Sequence, residues 1–518
     1  MKKTLFMMML AALAIGATAE TKAPQPMLQF DPSGGETRVM TMHDGKEVKY
    51  HAYERLYFVT NVEDSAYQFL NVYVPYGATQ QTPIFLRTYV GGYMASAAGQ
   101  PQAGDASGRA LQEGYVVVIP GSRGRNSTVV ATRNDKKKGI KKGQTIYTGR
   151  APAAVLDLKA AIRYLRHFDN EMLGDAERII TDGTSAGGAM SSLMGATGNN
   201  PAYELMLKAM GAADERDDVF ASVCYCPIID LDHADMAYEW LYNGTDSRQQ
   251  GNADVLAVSN ELKAMFPAYL ASLNLRTPDG TLLTADNYLD YIKSELIRSA
   301  QIAKNAGADI PDSLGFVFSE EASSGAPPIN GGMTQAKAGM AQMKAGMRPQ
   351  GDRPPMMMRP GGSKRAGEYI IDLDMDKYLN YVVSTQPLKT APAFDTQGVV
   401  GQRASGENEE FGDSKGSSVN FTDYSAAKTG TVVTPGVAAN VALLNPMNFI
   451  GDGITDVAPH WYIRHGARDR DTAFPVPVNL ALKLQDAGKN VNFLLAWNRP
   501  HSGDYALDEL FQWIKSLF

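Results

Sequence analysis

The sequence contains little cysteine, with only Cys224 and Cys226 among its 518 residues. Both stand in SVCYCPIID, an apolar run that we interpret as a strand, on which residues i and i+2 point to opposite faces. A disulfide between them is therefore not expected, and two thiols without further ligands do not complete a zinc site. We expect two buried thiols on a core strand.

An excess of positive charge is also missing, because 49 Lys and Arg residues stand against 56 Asp and Glu residues, for a net charge of −7. Without a dominant basic face, nucleic acid is not an expected partner. The basic loop NDKKKGIKKGQ, residues 134–144, is typical of a solvated surface loop. Steering of an anionic substrate is the alternative interpretation of this loop.

Beyond its first residues, the chain has no uncharged apolar run of membrane-spanning length. The first residues, MKKTLFMMMLAALAIGATAE, combine Lys2 and Lys3 with a short apolar stretch and the cleavage motif Ala17-Thr18-Ala19. We interpret residues 1–19 as a secretory signal peptide, with an ordinary buried helix as the alternative. The expected mature protein is periplasmic or secreted and has no membrane span.

Short apolar runs alternate with amphipathic helical patterns over much of the chain. KYHAYERLYFV and QFLNVYVPYG predict an antiparallel strand pair, and TPIFLRTYVGGY and GYVVVIPGSRG predict strands of a sheet covered on both faces. The apolar spacing in APAAVLDLKAAIRYLRHF predicts a helix. Residues 29–48 are interpreted as a polar lead-in. The alternation predicts an α/β fold with a mostly parallel sheet.

Between residues 235 and 430 this alternation stops, and helical patterns such as VSNELKAMFPAYLASL follow one another. We predict an α/β core of residues 20–234 and 431–518, split in sequence by a mainly helical insertion at 235–430. Within it, a segment near residues 331–366 is biased towards Met, Gly, Pro and Lys and is interpreted as disordered. Copper(I) binding through methionine sulfur is the alternative.

The segment RIITDGTSAGGAMSSL predicts a strand, a sharp turn and a helix around Ser185. Its G-x-S-x-G motif, residues 183–187, supplies the small residues that let such a turn lift a serine hydroxyl above the sheet edge. The backbone N–H of Ala186, at the helix N-terminus, is the expected oxyanion donor. A structural turn with an incidental serine is the alternative.

A nucleophilic serine needs a base and an orienting acid, which in α/β-hydrolases follow in the order Ser, Asp or Glu, His. Asp469 stands after one predicted strand, and His501 stands after the next, 32 residues later. This order predicts a Ser185–Asp469–His501 triad in an α/β-hydrolase fold. The sequence separation of 284 positions between Ser185 and Asp469 exceeds what the sheet needs, so we expect the insertion to form a lid over the site.

A second oxyanion donor is expected from the loop after an early strand. The run YVGGYMAS places Gly91 and Gly92 there, where glycine allows the backbone to approach a substrate closely. The backbone N–H groups of Gly92 and Tyr93 are the candidates.

With these motifs in view, the chain resembles the bacterial tannases, or tannin acyl hydrolases. The resemblance covers most of the mature chain and is clearest in GTSAGGAMSSL, YCPIIDLDHADMAYEW, GENEEFG, WYIRHGARDRDT and PHSGDYALDELFQWI. It implies an α/β-hydrolase with a large lid that cleaves galloyl esters, which are small phenolic substrates, without a cofactor. It also implies substrate contacts by Asp471 of RDRD, Glu407 of ENEEFG and Lys389 of PLKTAPAFD.

These residue types suit a galloyl ring, because carboxylates accept the protons of its phenolic hydroxyls and an ammonium donates to oxygen. The alternatives are a surface carboxylate for Glu407, an exposed lysine for Lys389 and a helix cap for Asp471. For the whole protein, the alternatives are a feruloyl or acetyl esterase with the same triad and an inactive ligand-binding homologue.

The segment DLDHADMAYEW holds four polar residues, namely Asp230, Asp232, His233 and Asp235. We expect a hydrogen-bonded junction at the base of the lid. A hard-cation site is the alternative, although no metal is expected in the active site.

Overall fold

The protein is described by a computed structural model that covers residues 27–136, 139–320 and 369–518. The predicted signal peptide, residues 1–19, lies outside these ranges, and so does the Met-rich segment, residues 331–366. Among the described residues, no helix is both long enough and apolar enough to cross a membrane.

Nine strands of the described chain form one central sheet. In spatial order they are β1 (Glu36–Thr41), β2 (Glu47–Tyr57), β3 (Phe69–Pro75), β5 (Val116–Pro120), β4 (Pro83–Arg87), β8 (Asp175–Thr184), β9 (Ala221–Tyr225), β12 (His460–Gly466) and β13 (Asn490–Ala496). Neighbours from β1 to β5 are antiparallel, and neighbours from β5 through β4 to β13 are parallel. The mostly parallel sheet and the antiparallel strand pair are therefore confirmed.

The interpretation of residues 29–48 as a polar lead-in is wrong, because β1 and the start of β2 lie within it. β1 is an edge strand without fully buried residues. Its backbone pairs with β2, but it has no clean apolar alternation from which a strand could be predicted.

Helices cover both faces of the sheet. They are α1 (Ala106–Gln112), α2 (Ala153–His167), α3 (Ala186–Ala196), α4 (Glu204–Met210), α13 (Pro475–Asp486) and α14 (Leu507–Lys515). Leu86 and Val118 face α2 and α3 in the larger core, whereas Phe85 and Val117 face α1 and α14 in a second core. Successive strand residues thus enter opposite layers, as the period of two requires.

Between β9 and β12 the described chain is mainly helical, as predicted. The helices are α5 (Leu231–Tyr242), α6 (Asp246–Gln249), α7 (Ala253–Leu273), α8 (Tyr288–Asn305), α9 (Met375–Thr385), α10 (Gly406–Glu410), α11 (Asp423–Thr429) and α12 (Pro435–Leu443). Two strands, β10 (Phe316–Ser319) and β11 (Tyr369–Leu373), form an antiparallel pair that the sequence did not indicate. In addition, α5 begins before the predicted boundary at residue 235.

Smaller elements complete the described chain. β6 (Thr128–Val130) pairs with β7 (Thr145–Tyr147) on either side of the basic loop. Short 3-10 helices occupy Pro32–Gly34, Pro201–Tyr203, Asp312–Leu314, Val399–Gly401 and Pro446–Asn448. Both cysteines are free and buried, as expected, but Cys226 follows β9 rather than lying on it.

Candidate active site

Ser185 lies in a sharp turn between β8 and α3. Its φ of 63° and ψ of −124° place it in the left-handed half of backbone space, and its N–H donates to the Tyr225 carbonyl at 2.9 Å. A Cβ added to Gly183 would lie 2.2 Å from the Gly187 carbonyl oxygen, and one added to Gly188 would lie 2.5 Å from that of Tyr225. The glycines of the motif are therefore needed so that strand, turn and helix can pack this closely.

The three predicted triad side chains form one hydrogen-bonded chain. His501 Nε2 lies 2.8 Å from Ser185 Oγ, and His501 Nδ1 lies 2.7 Å from Asp469 Oδ2. They converge because Ser185, Asp469 and His501 follow the carboxyl ends of β8, β12 and β13, which run parallel in one sheet. The Asp469 carboxylate also accepts the backbone N–H of Asp471 at 2.8 Å.

The electrostatic surroundings of the three hydrogen-bonded side chains favour a charged Asp469 beside His501. Burial alone would raise the pKa of the Asp469 carboxyl, but His465 and the hydrogen bond with His501 hold that pKa at about 2. Burial lowers the pKa of His501, whereas Asp469 and Asp471 raise it, and the net direction is upwards. An imidazolium formed during proton transfer would therefore be stabilised where it forms.

Arg87, which the sequence analysis did not single out, joins the strand of Ser185 to the loop of His501. Its guanidinium forms a buried ion pair with Asp182 on β8, and its Nη2 lies 2.7 Å from Asp504 Oδ2. Asp504 also accepts the Ala106 N–H at 3.0 Å, which fixes the His501 loop to α1. An arginine ending the apolar run PIFLR was the sequence signal for this bridge.

The Asp469 carboxylate has further neighbours on its buried side. His465 Nδ1 lies 3.6 Å from Asp469 Oδ2. Burial lowers the pKa of His465, whereas the Asp469 carboxylate acts in the opposite direction. Cys226 Sγ donates to the Ser502 carbonyl at 3.3 Å. Burial raises the pKa of the Cys226 thiol well above its usual value, which keeps the thiol uncharged.

Three groups of side chains in the described chain bring possible metal-ligating atoms within 4.8 Å of one another. Two of them contain Asp469, whose carboxylate already binds His501. The third is Asp230 with Asp232 and His233, in which Asp230 contacts His233 Nδ1 at 2.8 Å and both carboxylates accept from Asn445, at 2.7 and 2.8 Å. This third group is the hydrogen-bonded junction that the sequence predicts.

Asp235 extends the same junction. Its carboxylate accepts the backbone N–H groups of Ala393 and Phe394, both at 2.7 Å, and that of Asp395 at 3.1 Å. Burial raises the pKa of Asp235 to about 7 despite these hydrogen bonds. The carboxylate thus holds the 393–395 segment, close to Lys389, against α5.

Gly92 and Tyr93 occupy a tight turn after β4. The Met94 N–H donates to the Gly91 carbonyl at 3.0 Å, and φ is 55° at Gly92 and 57° at Tyr93. A Cβ on Gly187 would lie 2.9 Å from the Val90 carbonyl, so the chain leading into the turn packs against the first turn of α3. The segment just before the predicted oxyanion donors is therefore in contact with the helix that follows Ser185.

Lys389, Glu407 and Asp471 lie close enough to interact electrostatically, and Lys389 and Asp471 also act on His501. Burial lowers the pKa of the Lys389 ammonium, while the carboxylates of Glu407 and Asp471 act in the opposite direction. Lys389 Nζ also lies 4.0 Å from the centre of the Phe394 ring. Each of the three residues is half-buried, so none is enclosed in the core.

Arg470 is a second charged residue that the sequence analysis missed here. Its Nη1 lies 2.8 Å from Asp471 Oδ1, so the Asp471 carboxylate already has one cationic partner. The RDRD repeat in the sequence was the available signal, because it places this arginine between the two aspartates of the site.

The parallel sheet with its covering helices, the sharp serine turn and the Ser–His–Asp hydrogen bonds define an α/β-hydrolase. A family model described as BD-FAE matches residues 144–268, and a comparison with curated proteins found no match. A tannin acyl hydrolase solved in complex with 3,4-dihydroxybenzoate is 35% identical, with a TM-score of 0.76 over 94% of this chain and 98% of that chain.

Two further solved structures agree with that match. The native tannin acyl hydrolase from Lactobacillus plantarum is 34% identical, with a TM-score of 0.76 over 94% of this chain and 98% of that one. Fusobacterium nucleatum tannase is 34% identical, with a TM-score of 0.75 over 95% and 99%. The chain belongs to the tannase family and is a carboxylic ester hydrolase.

Proposed function

We propose that this protein is a secreted serine esterase that hydrolyses the galloyl esters of hydrolysable tannins and simple gallate esters. The observation that carries the proposal is the 2.8 Å contact between His501 Nε2 and Ser185 Oγ, with Asp469 on the other ring nitrogen. Related solved structures include tannin acyl hydrolases in complex with ethyl gallate and with 3,4-dihydroxybenzoate, which supports a phenolic acyl group.

In the first half of the proposed reaction, Ser185 Oγ attacks the ester carbonyl carbon while His501 Nε2 takes the hydroxyl proton. The negative charge that develops on the carbonyl oxygen is bound by the N–H of Ala186 and by an N–H of the loop at Gly92 and Tyr93. When the tetrahedral intermediate collapses, the bond to the alcohol oxygen breaks and His501 returns the proton to that oxygen. The products are a free alcohol and a galloyl ester of Ser185.

In the second half, water replaces the alcohol. The water oxygen attacks the acyl carbon while His501 takes a proton from the water. The proton passes to Ser185 Oγ when the acyl–enzyme bond breaks. Asp469 keeps the imidazole in the required tautomer throughout and does not itself become protonated, in keeping with its pKa of about 2.

Asp471, Glu407 and Lys389 are proposed to recognise the galloyl hydroxyls. The two carboxylates would accept phenolic protons, and the ammonium would donate to a phenolic oxygen. The carboxylates of Glu407 and Asp471 both raise the pKa of Lys389, and this proximity of the three groups supports a shared ligand. An ester without these hydroxyls would desolvate the three groups without offering them hydrogen bonds in return, which penalises its binding.

Two further features belong to the same proposal. Residues 235–430 act as a lid that supplies Glu407 and Lys389 to the site, which is supported by the electrostatic effect of Lys389 on His501 and of Glu407 on Lys389. Residues 1–19 act as a signal peptide that directs the protein to the periplasm or the medium, which is supported by their sequence pattern alone.

The test is a panel of methyl gallate, protocatechuate, ferulate and acetyl esters, assayed with wild type and Ser185→Ala. We expect the wild type to favour gallate and Ser185→Ala to lose turnover and labelling by a fluorophosphonate. Preference for ferulate or acetyl esters would indicate the broader esterase. Wild-type protein that neither turns over an ester nor takes the label would indicate an inactive homologue, and full activity of Ser185→Ala would refute the assignment.

A further inference from the structure

Arg125, in the loop after β5, binds two successive backbone carbonyl groups of the proposed oxyanion turn. Its side-chain Nε donates to the Gly92 carbonyl at 2.8 Å, and its backbone N–H donates to the Tyr93 carbonyl at 2.8 Å. Gly92 itself is exposed, so these two bonds join an exposed turn to the folded core.

The bond to Gly92 matters because a peptide unit is planar and trans. The Gly92 carbonyl and the Tyr93 N–H belong to one such unit and point in opposite directions, so fixing the carbonyl also fixes the direction of the N–H. Gly92 and Tyr93 both have positive φ, as in a type I′ turn, and rotation of this central peptide converts type I′ to type II′.

That rotation would relieve strain at Tyr93. A non-glycine residue at positive φ is held in an unfavourable conformation, and in a type II′ turn the second central residue has negative φ. The bond from Arg125 opposes the rotation, because the Gly92 carbonyl would turn away from the guanidinium. Without Arg125, the turn has a lower-strain conformation with the Tyr93 N–H pointing elsewhere.

The other end of the Arg125 side chain reaches the helix that carries Glu407. Its Nη1 forms an ion pair with the Glu409 carboxylate. A Cβ added to Gly406 would lie 3.1 Å from both Cζ and Nε of Arg125, so the guanidinium lies directly against the backbone before Glu407. A single side chain therefore contacts both the oxyanion turn and α10.

We propose that Arg125 is a positioning residue that aims the Tyr93 N–H at the oxyanion and links this N–H to the acyl-binding helix α10. This inference rests on the proposed esterase function and its oxyanion loop. A cationic donor on the Gly92 carbonyl also polarises the shared peptide, which strengthens the Tyr93 N–H as a donor. The contribution is therefore expressed in the transition state rather than in substrate binding.

Arg150 provides a matched control. It also binds α10, through a hydrogen bond from its Nη1 to the Glu409 carbonyl, and it stacks 4.5 Å from the centre of the Tyr147 ring. No hydrogen bond joins its side chain to the Gly91–Met94 turn in the described structure. Arg150→Ala therefore loosens α10 without releasing the Gly92 carbonyl.

The experiment compares wild type, Arg125→Ala, Arg125→Lys and Arg150→Ala. For each, kcat and KM are measured with methyl gallate, together with the inhibition constants of gallate and of phenylboronic acid, whose tetrahedral adduct with serine mimics the oxyanion. For Arg125→Ala we expect kcat and boronate affinity to fall in parallel by about 10- to 100-fold. This loss should not exceed the loss caused by removing one oxyanion donor outright. Gallate affinity should stay within about threefold. In Arg150→Ala, which loosens α10 alone, any loss should fall equally on gallate and boronate affinity.

Several results would overturn the inference. Unchanged boronate affinity in Arg125→Ala would do so, as would an equal loss of gallate and boronate affinity, which indicates a general structural role. If Arg125→Ala does not fold, Arg125→Lys decides, because lysine keeps the charge but not the fork that spans Gly92 and Glu409. Wild-type kcat in that variant counts against positioning, and a several-fold loss with unchanged gallate affinity supports it.

Ser185→Ala separates the two levels of the proposal. If Ser185→Ala retains turnover, the esterase assignment itself fails, whatever Arg125 does. If turnover depends on Ser185 and both Arg125 variants match wild type, only the positioning role fails.

Discussion

His501 Nε2 lies 2.8 Å from Ser185 Oγ, although the two residues are 316 positions apart along the chain. The contact exists because β8 and β13 belong to one parallel sheet, so that both residues leave the sheet at the same edge. The Arg87 guanidinium, which binds Asp182 and Asp504, joins the two supporting segments beneath that edge. Ser185 and His501 are therefore held in place by one sheet and by one arginine side chain.

Asp469→Asn is expected to lower kcat for methyl gallate by roughly 10⁴-fold, because an amide stabilises the wrong imidazole tautomer. The thermal midpoint and circular dichroism spectrum serve as controls for folding, since Asp469 is buried. A loss smaller than about tenfold, with the fold intact, would contradict the assignment of Asp469 as the orienting acid.

The acidic limb of the pH profile should report His501. Its net pKa is raised above the usual histidine value, and the base works only when neutral, so kcat/KM should fall as the pH drops through this raised pKa. Asp471 raises that pKa and Lys389 lowers it. Asp471→Asn should therefore move the limb to lower pH and Lys389→Met to higher pH.

These opposite shifts can be measured from the midpoints of kcat/KM against pH, whatever the change in absolute rate. Shifts of both variants in the same direction would mean that the limb belongs to another group.

Glu407→Gln tests the recognition of the acyl group. Loss of a charged acceptor for a phenolic hydroxyl should lower kcat/KM for methyl gallate by about 10- to 100-fold, the equivalent of one charge-assisted hydrogen bond. Methyl benzoate lacks the hydroxyls and is the control substrate, so its kcat/KM in this variant should change little. Equal losses on the two esters would place the defect in the catalytic step rather than in recognition.

The fold itself depends on a buried cluster of three charged residues, remote from the triad, in which one aspartate binds two cations. Lys159 Nζ lies 2.7 Å from Asp217 Oδ1 and Arg163 Nε lies 2.8 Å from Asp217 Oδ2, with Lys159 and Asp217 fully buried. Asp217→Asn leaves the buried Lys159 ammonium without its ion-pair partner, and we expect a loss of about 3–5 kcal/mol in the free energy of unfolding. Urea unfolding monitored by tryptophan fluorescence measures this loss.

Glu261→Gln is the matched control, because it removes one partner of the largely exposed pair with Lys428. Its cost should stay below about 1 kcal/mol. Burial would raise the pKa of Asp217, but Lys159 and Arg163 lower it overall. The stabilisation is therefore present above the ordinary aspartate pKa and is lost as the pH falls through the lowered value. Equal costs for the two variants would contradict the assigned role of burial.

Local sequence patterns were sufficient where a residue's neighbours along the chain decide its structure. The glycines around Ser185 predicted the turn because each position there excludes a Cβ. Local sequence patterns failed where a strand lacks an apolar face. β1 is an exposed edge strand, and β10 and β11 are short strands far apart in sequence. No local pattern distinguishes such strands from loops.

By itself, the sequence determined the α/β class, the order of the triad residues and the serine turn, because strand ends in a parallel sheet meet at one edge whatever lies between them. Only the tertiary structure decided which charged groups meet from distant segments. Arg87 with Asp504, Lys389 with Glu407 and Asp471, and Arg125 with Gly92 and Glu409 are such groups. The physical reason is that long side chains acquire partners through packing across the sheet edge and the insertion, which no periodicity in one segment encodes.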